Sequence, residues 1–588
     1  MPQYATEGFV SLIGGCNQGV EPPLLNDTQF AFGLNVSMRK GFVRTRPVFK
    51  KLKTLGTLGY FNGAGMYRLS SGDRVVFAID GDVGVYNLAA DTLTTGVASL
   101  VNKDKFYFGQ ADRYLIVQNG FDRPAILDRD ALLRYAIPYQ AYDPADLTSK
   151  NEVFTGTITK YGHGRLFVVA TYVHNNDGQP DTTKDGRPYF VAGDIIKPSD
   201  PEEVLNFSET TYLNEGGAAG MPSEYGFIYG MEFFRNVQSG TGLGPFIVFA
   251  ENGVSAFSVN SARTSWKDTD FSQVLFGGVG TKSNRAILPV NDDLLFRSQD
   301  GIRSIRYTAS EIAGAAGILS STPISNEVSD ILDLDVDADL PFVSAASADN
   351  RVYFTSAGRV GYAFKAVVSL DTAAAFGISS AVTPPAYNGI WTGLNFLQIL
   401  QGKVSGKLTL LALAEKGGDL ELWYLDDSGY QDGDDNAPLC RVYDRAYNFD
   451  SPSRTKRFAN IELWIRDLQG DATITAYYRP DGYALWNRCT SVTLRGAAAG
   501  QNQHRFRLTL VPLTDDVYDP TSGRNVLLGS TFQFCLEWVG NLAIEKAVYN
   551  AIFETEEPGV CCEAETAVVP LIEGAGGILL DDFTYVIV

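Results

Sequence analysis

Residues that build metal and redox sites are scarce in this sequence. Histidine occurs three times, at His163, His174 and His504, and the six cysteines (Cys16, Cys440, Cys489, Cys535, Cys561, Cys562) include no C-x-x-C pair. That spacing argues against a structural zinc site. The thiols read as buried and reduced, with the adjacent Cys561 and Cys562 the one place where a reactive pair is the alternative. No apolar run approaches the roughly 20 residues of a membrane-spanning helix, and the opening MPQYATEGFV lacks the basic-then-apolar order of a secretory signal. The expectation is a protein with no membrane segment and no export signal. Positive charge is also short, with 48 Lys and Arg against 68 Asp and Glu and a net charge of −20. A chain so acidic is not built to grip nucleic acid by displacing phosphate counterions.

Two local absences run against each other. From Thr28 to Gly72 there is no Asp or Glu, while Arg39, Lys40, Arg44, Arg46, Lys50, Lys51, Lys53 and Arg68 carry eight positive charges. From Ala547 to Val588 there is no Lys or Arg, and Glu554, Glu556, Glu557, Glu563, Glu565, Glu573, Asp581 and Asp582 carry eight negative ones. An isolated charge run is ordinarily a solvated loop. The complementary blocks raise a second reading, in which Arg39, Lys40, Arg44 and Arg46 meet Glu554, Glu556, Glu557, Glu563, Asp581 and Asp582 across a subunit boundary, where opposite charges set register. On that reading, reversing Arg44 and Arg46 impairs assembly and spares the fold.

What the sequence has in abundance is strand-forming material: 35 Phe, 29 Tyr and 59 Gly, with apolar runs broken by Gly-containing turns. An apolar run, a turn and a second apolar run recur at 74–88, 112–127, 245–259, 292–307, 349–364 and 408–425, and 163–173 is half of a seventh copy interrupted by the polar insertion after it. Six or seven hairpins at irregular spacing predict an all-β chain, an irregular β-propeller with inserted loops over 61–450, the insertion lying around 174–244. Beyond Ser451 longer alternating strands, with Trp464, Trp486 and Trp538 to fill a core, predict a β-sandwich at 451–557. Residues 1–60 form a basic segment joining the propeller, and 558–588 an acidic C-terminal segment.

The stretch SLIGGCNQGVEPPLLNDTQFAFGLNVSMRKGFVRTRP resembles the N-terminal signature of tail nozzle proteins of short-tailed bacteriophages, through Gly14, Gly15, Gln18, Gly19, Pro22, Asn35, Val36, Gly41, Arg46 and Pro47. The segments 194–210, with Ser199, Asp200 and Phe207, and 278–307 resemble propeller segments of phage tail proteins. Cys16 and Asn17 interrupt the glycine stretch, and Val48 stands where a Gly commonly follows the Arg-Pro. The resemblance implies a virion protein made in the bacterial host cytoplasm: a homo-oligomeric ring of six subunits below the portal and adaptor, neighbouring tail adaptor and fibre or spike proteins. Its channel would retain double-stranded DNA and then conduct it during ejection; the net charge of −20 predicts no specific DNA binding, and no cofactor is expected.

Residues with catalytic or ligating chemistry have plainer readings beside them. The Asp-rich loop 426–437 has oxygen ligands suited to Ca²⁺ but lacks the ordered spacing and closing Glu of an EF-hand, so a solvated turn is expected. The run 333–340 alternates Asp333, Asp335, Asp337 and Asp339 with apolar residues, as a wet strand or loop does. His163, or a pair such as Asp292 and Asp300, would be the place to look for a glycosidase, although no nucleophile–base spacing is visible and no catalysis is expected. The alternative to a nozzle subunit is a carbohydrate- or receptor-binding propeller, a lectin or glycosidase.

Overall fold

The computed structural model describes residues 4–136, 152–153, 155–170, 195–207, 219–234, 244–259, 272–290, 293–305, 323–358, 367–371, 386–427, 429, 431–433, 437–496, 505–513 and 525–554. The side chains of Lys40 and Ser223, and those of residues 367, 368 and 371, are outside that description. The fold is all-β, with six small sheets arranged as blades of a β-propeller beside one large sheet bent into a half-barrel.

Each expected hairpin supplies the second and third strands of a sheet. Blade 1 spans 61–99, blade 2 107–135, blade 3 156–220, blade 4 228–277 and blade 5 287–304. Blade 7 combines Asn395–Val404, Lys407–Lys416 and Asp419–Asp426 with Val48–Thr57 from the other end of the chain. Between blades 5 and 7 lie Ala345–Ala348, Arg351–Thr355, Val367–Asp371 and Ala386–Trp391, which close the ring and are also the edge of the half-barrel; we call them blade 6. The hairpin expected within 349–364 is therefore longer, since Arg351–Thr355 pairs with Val367–Asp371. The region expected as an insertion around 174–244 is instead largely blade: Ile195–Pro198, paired with Arg165–Ala170, and Ala219–Gly220 complete blade 3, and Ile228–Phe233 opens blade 4. Residues 174–188 of that insertion lie outside the described residues.

The apolar runs are unbroken because the middle strands of a propeller are covered on both faces. In Gly72–Ile79, Val75 and Phe77 pack toward blade 7 with Leu411, Leu413 and Leu422, while Val76 and Ala78 pack toward blade 2 with Leu115 and Val117. The same division recurs in blade 4, where Phe246 and Val248 face blade 3 and Ile247 and Phe249 face blade 5. Tight turns join several of these strands through two successive residues of positive φ, as in Asp80–Gly81 (52° and 91°) and His163–Gly164 (51° and 73°), the backbone that matches the twist of a hairpin.

The half-barrel is built on two strands of unusual length. Lys456–Pro480 and Phe532–Phe553 pair antiparallel from Lys456↔Phe553 to Pro480↔Phe532, with bulges between Arg466 and Thr473. Asp467 (φ 53°), Gly470 (φ 70°) and Gly540 (φ 128°) mark the bend. Folding brings the two halves of one strand face to face, so that Phe534 stacks on Tyr549 at 3.8 Å and 7°. The strands expected as a separate sandwich thus form one sheet with the N-terminal segment: Tyr4–Phe9 and Val43–Thr45 pair with Phe532–Phe553, and Phe32–Leu34 with Leu439–Tyr447. Of the three tryptophans expected in this core only Trp538 is buried there, donating from Nε1 to Thr45 Oγ1 at 3.0 Å. Trp464 lies outward beneath Arg507 and Lys546, and Trp486 stacks on Tyr443. Cys16, Cys440, Cys489 and Cys535 are free and buried, and burial pushes their thiols up. Cys561 and Cys562 lie outside the described residues.

One carboxylate sits inside this core. Asp444 is fully buried, and its Oδ2 accepts from Tyr447 and Tyr549 hydroxyls at 2.8 and 2.7 Å. Burial raises its pKa to about 6, against the hydrogen bonds that favour the charged form. A raised carboxyl contributes full stability below its unfolded value near ~4 and loses it as pH rises through about 6. Removing one hydroxyl pushes the folded value higher still. Tyr549→Phe is expected to cost about 1.5–3 kcal/mol at pH 8 and clearly less at pH 5, read from denaturation midpoints. Equal losses at the two pH values would contradict this.

Candidate functional site: the N-terminal stitch and the closed propeller axis

The acid-free segment crosses from the half-barrel into the propeller, and six of its eight positive charges meet acids of their own chain. Arg46 is the most constrained. Its Nε donates to Asn35 Oδ1 (2.9 Å), Nη1 to Asp432 Oδ1 (3.0 Å) and Pro47 O (2.8 Å), and Nη2 to Asp432 Oδ2 (2.5 Å) and Thr392 O (2.6 Å). All five guanidinium hydrogens are used, in the planar fork geometry that lysine cannot supply. Asn35 completes the junction at a left-handed φ of 54°: its Oδ1 also accepts from Thr392 N, and its Nδ2 donates to Thr392 Oγ1 and Leu439 O. Asp432 accepts from Phe49 N as well, at 2.8 Å. Blade 6, blade 7 and the half-barrel are thereby tied at one point.

Around this junction Arg39 pairs with Asp349 and Arg44 with Asp467 at 3.3 Å. Along the closing strand of blade 7, Lys50 pairs with Asp426, Lys51 with Glu421, and Lys53 with Asp91 at 2.8 Å. Arg68 donates to Gln401. Arg46, expected at a subunit boundary, is instead buried inside the chain, and its reversal cannot spare the fold. Arg39 and Arg44 are likewise engaged with their own chain. Glu554 is exposed, its backbone N donating to Thr455 O. Glu556, Glu557, Glu563, Asp581 and Asp582 lie outside the described residues.

The Asp-rich loop is not simply solvated, because Asp432 is buried beneath Arg46, while Asp427 reaches Lys407 at 3.2 Å. The run 333–340 is not extended either: Asp337–Phe342 forms a 3-10 helix, Asp335 pairs with Arg297 at 2.8 Å, and Asp337 with Lys282 at 2.8 Å. Asp300 is bound by Ser298 and Arg303, and Asp292 lies outside the described residues. His163 is a turn residue, its ring edge-on to Phe233 at 5.3 Å. No group of three or more His, Cys, Asp or Glu suited to a metal occurs among the described residues.

The axis of the propeller was not legible in the sequence. The first strands of successive blades pack side by side around it. At the end where these strands begin, Arg285 reaches from blade 5 across to blades 1 and 2, donating from Nη2 to Asn62 O (2.9 Å) and Phe106 O (3.2 Å). Gly63 lets it pass, since a Cβ there would lie 2.0 Å from Nη2. Lys105, at the start of blade 2, donates to Pro341 O at 2.6 Å, just ahead of blade 6. Tyr60 and Tyr107 lie within reach of the Arg285 charge, and Lys105 Nζ sits 5.3 Å from the centroid of the Tyr107 ring. Burial lowers Arg285 to about 10, and burial together with the Arg285 charge pushes Lys105 well below the usual lysine range. Burial raises Tyr107 to about 12 and also raises Tyr60 and Tyr229. At the other end, Gln110, Arg68, Gln401 and Ser347 link blades 2, 1, 7 and 6.

Removing Asp432 leaves a buried, unpaired guanidinium, so Asp432→Ala is expected to cost about 3–5 kcal/mol. The exposed pair partner Lys50, changed to Ala, should cost about 1 kcal/mol or less. Comparable losses in chemical denaturation would show that the junction is not the special point described.

Among solved structures the chain is similar to the computationally designed protein Ika8, at 11% identity over 67% of this chain and 96% of that one with a TM-score of 0.31. It is also similar to BBS1N in its complex with ARL6DN, at 9% identity over 65% of this chain and 98% of that one with a TM-score of 0.36. No protein-family model and no curated protein matches the sequence. At these scores the likenesses assign no activity.

Proposed function

We propose that this β-propeller protein is a structural subunit of a phage tail nozzle, a homo-oligomeric ring through which double-stranded DNA is retained and then conducted, with no catalytic step. The observation that carries the reading is the position of the signature residues. Asn35, Arg46 and Pro47, through which the sequence resembles nozzle proteins, are the ones that hold the propeller to the half-barrel. Gly15 belongs to the same framework: at φ 80° its Cβ position lies 2.7 Å from Tyr387 O, where a side chain has no room. A signature made of joint-forming residues is what a shared architecture requires.

The closed axis constrains the mechanism. Arg285 and Lys105 span the propeller's own axis, which supports a conduit formed along the axis of an assembly rather than through one subunit. The net charge of −20 per subunit disfavours phosphate contacts and lets the duplex slide. The purified chain is expected to assemble into a ring whose native mass is a multiple of 64.0 kDa, six-fold by resemblance, and to show no sub-micromolar duplex binding at physiological salt. A monomer at every concentration would overturn the reading.

One observation favours a carbohydrate- or receptor-binding propeller instead. Tyr60, Phe227 and Tyr229 gather where the first strands begin, Tyr60 and Phe227 being 44% and 48% exposed, and aromatic faces of this kind suit sugar rings. Saturable oligosaccharide binding by a monomeric protein would support that reading over the nozzle.

A further inference from the structure

Lys105 and Arg285 differ from the cations around them. Lys282, on the same side of the propeller, is held by Asp337 at 2.8 Å and Glu251 at 3.8 Å. Lys160, in the first strand of blade 3, has Glu232. Lys105 and Arg285 make no ion pair among the described residues. Their hydrogen bonds go to backbone carbonyls of Pro341, Asn62 and Phe106. The two are neighbours: the Arg285 guanidinium donates to the carbonyl of Phe106, the residue after Lys105, and its charge acts on Lys105. Both side chains are half-buried, surrounded by the starts of several blades yet still touching solvent. Two like charges drawn this close in a desolvated setting oppose each other and the fold. Asp104 is the nearby carboxylate, acting on Tyr60 and Tyr107, and it pairs with neither cation.

We propose that this end of the propeller axis binds a compact oxyanion of the phosphate class, a free phosphate or a phosphomonoester, between Lys105 Nζ and the Arg285 guanidinium. The anion supplies the missing counter-charge, since charge-assisted bonds to guanidinium and ammonium are the strong ones. The Tyr107 ring, whose centroid lies 5.3 Å from Lys105 Nζ, borders the position. This site is independent of the nozzle reading, because it lies within one subunit.

The test uses the full chain titrated with inorganic phosphate at constant ionic strength, followed by calorimetry and by thermal midpoint. The expected result is a saturable heat and a saturable rise in midpoint, as a ligand of the folded state produces. Lys105→Met should weaken phosphate at least tenfold and Lys105→Arg should retain it, while Lys105→Met without phosphate should melt no lower than the parent. Bulk salting effects behave differently, rising without saturation and equally in both proteins. The proposal is overturned by a parent titration indistinguishable from chloride, or by equal affinity in Lys105→Met. If that variant does not fold, the parent titration alone decides whether the anion binds. A phosphomonoester that binds more tightly than phosphate would identify the larger ligand as the source.

Discussion

Arg46 held by Asp432 and Asn35 is the constraint on which the rest of the structure depends. A propeller must join its first and last sheets, and here the joining strand Val48–Thr57 leaves a segment already committed to the half-barrel. The position of that strand is set at its entry point, where the guanidinium has no freedom left. A buried ion pair is a poor source of net stability, because desolvation offsets attraction. Its value lies in geometry: five donors and a forked carboxylate accept one arrangement, and Phe49 N on the same carboxylate passes it to the first turn of the strand.

Beyond that point, charge and apolar packing divide the work. The closing strand carries Lys50, Lys51 and Lys53, and its neighbour carries Asp419, Glu421 and Asp426 in the antiparallel register Asp419↔Thr57 to Asp426↔Val48. Surface pairs add little energy each, yet placing one sign on each strand penalises wrong partners and wrong register. Leu420 and Leu422 with Leu55, packed against blade 1, supply the burial that holds the strand down. The closing strand thus sets Lys50 and Lys51 against the acidic strand edge it completes.

Toward the propeller axis the requirement changes from burial to close approach. At Gly63 a Cβ would lie 2.0 Å from Arg285, and at Gly230 1.8 Å from Ile287. Side chains from other blades pass where these glycines leave room, Arg285 from across the ring and Ile287 from the adjacent blade. Closure by Arg285 and Lys105 leaves two cations facing carbonyl dipoles, with no ion-pair partner among the described residues.

The hairpins were legible in the sequence because propeller strands covered on both faces are continuous apolar runs, and Asp80–Gly81 and Gly417–Gly418 announce the turns between them. The all-β class and the irregular propeller follow from that local chemistry alone. Local chemistry is silent about partners hundreds of residues away. Whether Arg46 faces solvent, another subunit or Asp432 depends on a contact 386 positions along the chain, and a charge count cannot distinguish them. For the same reason the strands after Ser451 carried their alternation in the sequence but not their bend at Asp467–Gly470, nor their union with Tyr4–Phe9. Lys105 and Arg285 were two ordinary basic residues until the ring brought the starts of its blades together. Periodicity, an interaction between neighbours, was the sequence's to determine; compensation of charge, an interaction across the fold, was decided by the tertiary structure.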